Sequence, residues 1–262
     1  MAKRDRGFKI DKKIWLDKYL DATKSKNVDL IIELIGGAEG PAKKLVFNAL
    51  KNKKHVVTAN KALISKYGDQ LAKIAEKNKV NLEFEASVCG GVPIIRSIKE
   101  GLIANKINKV FGIFNGTSNY ILSSMDKENK SFNEVLKNAQ KLGYAESNPT
   151  SDLNGDDVAS KLKILSSLCF NSFLNKNIHV EGIKDIDKED INYAKRLGYK
   201  IKLLGYAELI GKNIFQRVHP TLIRDSSYVG SIDGVLNAVI IDGNPVTHNS
   251  QVDTKDNSLL NL

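Results

Sequence analysis

From Val28 to Ile35 the chain reads VDLIIELI, an apolar run interrupted by Glu33, and Gly36-Gly37 end it. Such a run suits a strand of a parallel sheet covered on both faces, where alternation with polar residues is lost. A helical stretch follows, AKKLVFNALKN, with Pro41 near its start, a place where proline is tolerated. His55–Thr58 reads HVVT and predicts a second strand. Leu63, Leu71 and Ile74 have helical spacing and predict a helix over Lys61–Lys79, and NLEFEASV, Asn81–Val88, predicts a third strand. Strand, helix, strand, helix, strand at this spacing predicts an α/β unit with a parallel sheet and helices on its faces.

A dinucleotide-binding sheet of this kind carries a glycine-rich turn after its first strand, with the pyrophosphate on the next helix N-terminus. No G-x-G-x-x-G lies near the start, and residues 7–27 read as a surface connection with a short helix. The expectation is an incomplete Rossmann-like domain over residues 1–92, its sheet entered partway through.

The character then changes. Pro93 opens a helix over IIRSIKEGLIA, a strand follows within 107–115, and helices are expected near 118–126 and 131–142. Gly143–Asp157 is rich in turn formers, and VASKLKILSSLCF after it is helical. YKIKLLGYAELIGKNIFQRVHPTLI holds two strand-like runs joined near Gly211-Lys212, an antiparallel hairpin signal. A further strand is expected within 235–246, and residues 247–262 lack periodicity and read as a disordered tail. Residues 93–246 are thus expected to form an α+β domain with a largely antiparallel sheet.

The net charge of +10 raises nucleic acid as a partner, but the lysines are scattered singly with acids among them. The densest basic stretches, Lys51–Lys54 and Lys3–Arg6, are short and carry no interleaved aromatics, so no nucleic-acid partner is expected. No apolar run reaches the ~18 residues of a membrane helix. No apolar signal core follows the charged start, so a cytoplasmic location with no membrane partner is expected. Cys89 and Cys169 cannot staple a chain of 262 residues and read as small buried hydrophobes. His219 reads as structural, and no His/Cys spacing suggests a metal cluster.

Several constellations admit chemistry. Glu146, Asp152, Asp156 and Asp157 crowd one turn-rich segment, and Lys161 follows Asp157 by four residues on a helix, hence on the same face. Either this is a solvated acidic loop with an ion pair, or a carboxylate site for an ammonium-bearing substrate with a proton-transfer lysine. Asn115-Gly116-Thr117-Ser118-Asn119-Tyr120 follows a strand and opens a helix, as a cap or as a polar rim for a small ligand. Thr58-Ala59-Asn60-Lys61 lies at the carboxyl end of a parallel strand, where open α/β sheets bind ligands. Glu85 to Pro93, with Gly90-Gly91, is either a flexible inter-domain turn or a curl of carbonyls able to hold a hard cation.

Taken together, VDLIIELIGG at 28–37, VVTANKALIS at 56–65, FEASVCGGVPII at 84–95, IFNGTSNYIL at 113–122 and LGYAESNPTSDLNGDDVASKLKIL at 142–165 resemble homoserine dehydrogenase. The resemblance runs over roughly residues 2–246, in the family's order. It implies NADP- or NAD-dependent interconversion of L-homoserine and L-aspartate 4-semialdehyde. It implies that Glu146 holds the substrate's amino group, with Asp152 a second substrate-side acid. Lys161 matches the proton donor and Asp157 the group that positions it. Lys61 matches a residue touching both cofactor and substrate. Gly36, Thr58 and Gly143 match cofactor contacts, and Glu85, Val88, Gly90 and Val92 a Na+ site on main-chain carbonyls. A homodimer or higher homo-oligomer, paired through the second domain, is implied as well. Ala2–Arg6 resembles the end of the family's second strand, and residues from Thr247 depart from the family pattern, so a cofactor domain cut at both ends is expected. The alternative is a non-catalytic remnant that retains the dimerising, substrate-binding domain.

Overall fold

The computed structural model describes residues 15–171 and 178–245; the resemblance at Ala2–Arg6 and the expected tail at 247–262 lie outside them. The chain divides into two units, Met1–Ser87 and Val88–Leu262.

The first unit runs β1 (Leu30–Glu33), α1 (Pro41–Lys51), β2 (His55–Thr58), α2 (Lys61–Asn78) and β3 (Leu82–Glu83). The strands pair in parallel in the order β1-β2-β3, with Ile31 opposite Val56 and Glu33 opposite Thr58. Pro41 sits in the first turn of α1, where its missing N–H has no helical partner to lose. Asn60 caps α2 by accepting from the Leu63 amide at 3.1 Å, and Lys79 in a left-handed conformation ends it.

The sheet departs from expectation in two places. Only one face of β1 is covered: Ile31 and Glu33 point inward, while Leu30 and Ile32 stay 46% and 62% exposed. An order that advances without reversal, joined by crossovers of one hand, lays α1 and α2 on the same face. The third strand is also shorter than NLEFEASV suggests. The Ser87 amide and hydroxyl both donate to the Phe84 carbonyl, at 2.9 and 2.5 Å, and wind Glu85–Ser87 into a 3-10 turn.

The second unit opens with α3 (Ile94–Arg96), continued by a π turn over Ser97–Gly101, then β4 (Asn105–Ile113), α4 (Gly116–Glu128) and α5 (Phe132–Lys141). α6 (Thr150–Leu153), α7 (Asp156–Cys169), β5 (His179–Val180), α8 (Lys188–Arg196), β6 (Tyr199–Ile210), β7 (Asn213–Arg224), α9 (Tyr228–Ser231) and β8 (Ala238–Pro245) follow. The strand order is β5-β7-β6-β4-β8, with only β5 on β7 parallel. The expected hairpin is β6–β7, turning through Gly211 at φ +62° and Lys212. α7 packs on β4, β6 and β7, and α4 and α8 on β6. Phe114, fully buried just after β4, lies against Gly205 of β6, where a Cβ would stand 2.7 Å from its ring. Only glycine fits there without moving Phe114.

One charge is held inside this unit, although burial lowers the pKa of its ammonium. Lys202 of β6 is 1% exposed and its Nζ donates to Asn119 Oδ1 at 3.0 Å, the Ile232 carbonyl at 2.6 Å and Asp233 Oδ1 at 2.8 Å. Burial pushes the Asp233 carboxyl up, but hydrogen bonds from Lys202 and Lys127, with Lys200 beyond, outweigh it and hold the group at about 2. Asp233→Ala strands an ammonium in the core, a change expected to cost about 3 kcal/mol or more. Lys202→Met should cost less, because Lys127 and Lys200 still serve Asp233. Thermal denaturation of the two variants orders them; the reverse order would refute this account. Because the Asp233 pKa is depressed in the fold, its contribution is complete above the ordinary aspartate range and lost as pH falls through about 2.

Candidate active site

In the second unit the site is built where β4 hands over to α4 and where α7 begins. Asn115 is the N-cap of α4, its Oδ1 accepting from the Ser118 amide at 2.8 Å. With that oxygen committed, its Nδ2 faces the other way and donates to Asp152 Oδ1 and Asp157 Oδ2, both at 2.8 Å. Gly155, at φ +85°, lets the chain turn from α6 into α7, with Val180 and Val218 packed 3.1 Å from where a Cβ would be. Asp157 then stands in the first turn of α7, where the helix N-terminus favours a negative charge.

Lys161 follows one helical turn later. Its Nζ lies 2.7 Å from Asp157 Oδ2 and 2.6 Å from the Phe114 carbonyl. This is not a wet surface pair: the Asp157 and Lys161 side chains are 5% and 14% exposed. One amide, one ammonium and two carboxylates therefore converge, leaving a local excess of negative charge that suits a substrate with a cationic group. Cys89, buried nearby, is not a rival nucleophile: burial pushes its thiol up to about 11, with the Lys161 ammonium opposing.

The turn carrying Gly143 and Glu146 is fastened to the first turn of α4. Thr117 Oγ1 donates to the Tyr144 carbonyl at 2.7 Å, and the Tyr120 and Tyr144 rings stand 5.0 Å apart. Gly143 is left-handed at φ +78° and exposed. Glu146 is exposed, with its main-chain carbonyl accepting from Gln140 at 3.2 Å. The structure thus joins Asp157 to Lys161 directly and Asp152 to Asp157 through Asn115, and it leaves Glu146 facing solvent.

In the first unit the carboxyl ends of β1 and β2 carry Gly36, Thr58 and Lys61. Gly36 and Gly37 have φ of +84° and +81°, and a Cβ at Gly36 would meet nothing within 4 Å. This bare, open turn at strand carboxyl ends is compatible with a dinucleotide. Thr58 is buried and donates to Glu33, and half-buried Lys61 opens α2. Glu85 closes this unit in its 3-10 turn; Val88, Gly90 and Val92 begin the second, with the Val92 carbonyl accepting from Ile94 N at 2.8 Å. Among the described residues no group of three or more His, Cys, Asp or Glu could hold a metal ion, and no helix is long and apolar enough to cross a membrane.

Sequence reasoning missed two hubs. Asn115 lay in a motif read as cap or rim, and its partners, 37 and 42 residues away, leave no trace in local spacing. Glu33 counted only as an interruption, although a charge inside an apolar strand is itself a signal, because burial without donors is so costly.

A parallel sheet with a bare glycine turn at its carboxyl ends in one unit, and a buried lysine–carboxylate set in the other, place the chain in the class of two-domain α/β proteins with a dinucleotide-binding type of sheet. The family model for the homoserine dehydrogenase NAD-binding domain matches residues 11–85, and that for homoserine dehydrogenase matches residues 93–255. The homoserine dehydrogenase of Neisseria gonorrhoeae is 49% identical over 222 residues, 84% of this chain and 51% of that protein. That of Bacillus subtilis is 44% identical over 238 residues, 90% of this chain and 55% of that protein. The crystal structure of a homoserine dehydrogenase from Thiobacillus denitrificans superposes with a TM-score of 0.83 at 47% identity, covering 87% of this chain and 53% of that one. The chain belongs to the homoserine dehydrogenase family, and it spans about half the length of the curated relatives it matches.

Proposed function

We propose that the protein interconverts L-homoserine and L-aspartate 4-semialdehyde with NADP or NAD. The observation that carries the proposal is the convergence of Lys161, Asp157, Asp152 and Asn115 in a largely buried cluster. The NAD-binding family model over the first unit supports the cofactor.

The bound nicotinamide supplies or accepts the hydride; everything else falls to the side chains. Two of the three ammonium hydrogens of Lys161 are engaged by Asp157 and the Phe114 carbonyl, which fixes the direction of the third. That third hydrogen is the proton given to the carbonyl oxygen as the aldehyde becomes an alcohol, and taken back in the reverse reaction. Asp157 holds the ammonium in line and balances its charge. Glu146 pairs with the substrate's amino group, and Asp152 adds negative charge on the substrate side. Gly36, Lys61 and Gly143 contact the dinucleotide, with buried Thr58 bracing that side through Glu33, and Lys61 contacts the substrate as well. A Na+ ion on the carbonyls of Glu85, Val88, Gly90 and Val92, a cytoplasmic location and a homodimer or higher homo-oligomer complete the reading.

Glu146 gives a test separable from the chemical step. Its carboxylate binds a group that is charged alike in substrate and transition state, so Glu146→Ala should raise KM for homoserine about tenfold or more and change kcat less. Steady-state kinetics with homoserine varied would show it. An unchanged KM would remove Glu146 from substrate capture.

A further inference from the structure

The dehydrogenase reading gives no part to Glu33. It ends β1 with no exposed surface, in a run that is otherwise apolar. A carboxylate in such a place persists only if strong donors hold it. Its Oε1 accepts from the Ile35 and Gly36 amides at 2.7 and 2.9 Å, and its Oε2 from the Thr58 hydroxyl at 2.5 Å. The Thr58 oxygen accepts in turn from the Asn60 amide at 3.0 Å. Asn60 Nδ2 donates to the Gly37 carbonyl at 2.8 Å, while its Oδ1 caps α2. The bonds close a loop: Glu33 grips the near end of the glycine turn, Asn60 its far end, and Thr58 joins them from β2.

An apolar side chain at position 33 would satisfy the folding of β1, as Ile31 does two residues earlier. The carboxylate instead sets the main chain of two turns that lie side by side at the carboxyl ends of parallel strands. It also decides what those turns can receive. A glycine turn of this shape would ordinarily offer its amides to a phosphate. Here the Ile35 and Gly36 amides are taken by Glu33, and a buried negative charge lies beneath them. Such a turn disfavours an anion and favours a neutral or cationic group, and it is open at Gly36.

We propose that Glu33 is a positioning residue which shapes this turn as the seat of the nicotinamide riboside half of the dinucleotide, whose oxidised ring is a cation, and closes it to the phosphates. The inference rests on the dehydrogenase reading and deepens its cofactor side. Glu33→Gln keeps an acceptor for the amides and a polar partner for Thr58 but removes the charge. Glu33→Leu removes the bonds as well. Titration of the full-length protein with NADP+ and NADPH separates these effects. Glu33→Gln should weaken NADP+ several-fold, up to about tenfold, and leave NADPH nearly unchanged. Glu33→Leu and Thr58→Val should weaken both forms, and hydrogen exchange at the Ile35 and Gly36 amides should quicken in Glu33→Leu. Thermal denaturation of Glu33→Gln should stay near the parent, so the result stands even if Glu33→Leu or Thr58→Val loses stability. If the parent binds and Glu33→Gln weakens both forms equally, or neither, the proposal is overturned and the dehydrogenase reading survives. If the parent binds neither dinucleotide, both fall together.

Discussion

Replacing Lys161 by alanine is expected to lower kcat and kcat/KM together by about 100-fold or more, the usual cost of losing a donor aimed at charge that develops in the transition state. The expectation comes from burial and direction. A lysine exposed on a helix and paired with an aspartate four residues before it would contribute ~0.3–0.5 kcal/mol and could be lost with little consequence. Lys161 is not in that situation. It is 14% exposed, bonded to a buried carboxylate on its own helix and to the main chain at the end of β4. Those two bonds fix its position without using all of its hydrogens. Alanine there leaves Asp157 still held by Asn115, so the fold should persist while the proton has no carrier. Circular dichroism of Lys161→Ala should match the parent. Turnover within a few-fold of the parent would remove Lys161 from the chemistry and make Lys61 the next candidate.

Asn115 should be nearly as sensitive, although it carries no proton. Its amide nitrogen bridges Asp152 and Asp157, and its oxygen starts α4. Asn115→Ala would remove a helix cap, worth about 1 kcal/mol. It would also leave two carboxylates facing each other without the donor between them. Asp157 would then relax away from Asp152, and Lys161 would move with it. A displacement of about 1 Å at a reacting group can cost on the order of 100-fold in rate. We therefore expect kcat to fall between about 10-fold and 100-fold, with KM for the dinucleotide unchanged. Asn115→Asp is the sharper form, since it keeps the cap and adds a third negative charge to the cluster. A variant carrying aspartate at 115 that turns over within two-fold of the parent would show that the bridge is incidental.

What could be read from the residues was what depends on neighbours in the chain. The order of β1, α1, β2 and α2 followed from periodicity and from Pro41, Asn60 and the paired glycines after β1. The β6–β7 hairpin followed from the turn at Gly211-Lys212, and the Asp157–Lys161 pair from helical spacing. What could not be read depends on segments that meet only in the fold. Asn115 finds its partners, Asp152 and Asp157, 37 and 42 residues further along the chain. Lys202, inside a strand that reads IKLLGY, gave no sign that it would be buried on Asp233 and Asn119. The bare face of β1 reflects the direction in which the sheet grows rather than any property of LIIE. The third strand shortened because one serine hydroxyl competes for the Phe84 carbonyl. Glu33 shows a middle case: its oddity was visible as a charge in an apolar strand, but its meaning needed the three donors around it.

If Lys161 and its carboxylate partners transfer the proton of a homoserine dehydrogenase, the reaction itself must stop when the lysine is removed. The full-length protein and its Lys161→Ala variant are incubated with L-homoserine and NADP+ or NAD+, and the absorbance of the reduced nicotinamide is followed. Reduction should depend strictly on homoserine and be nearly abolished in Lys161→Ala. Folded protein that gives no homoserine-dependent reduction with either cofactor, or a Lys161→Ala variant that reduces the cofactor as fast as the parent, would contradict that expectation.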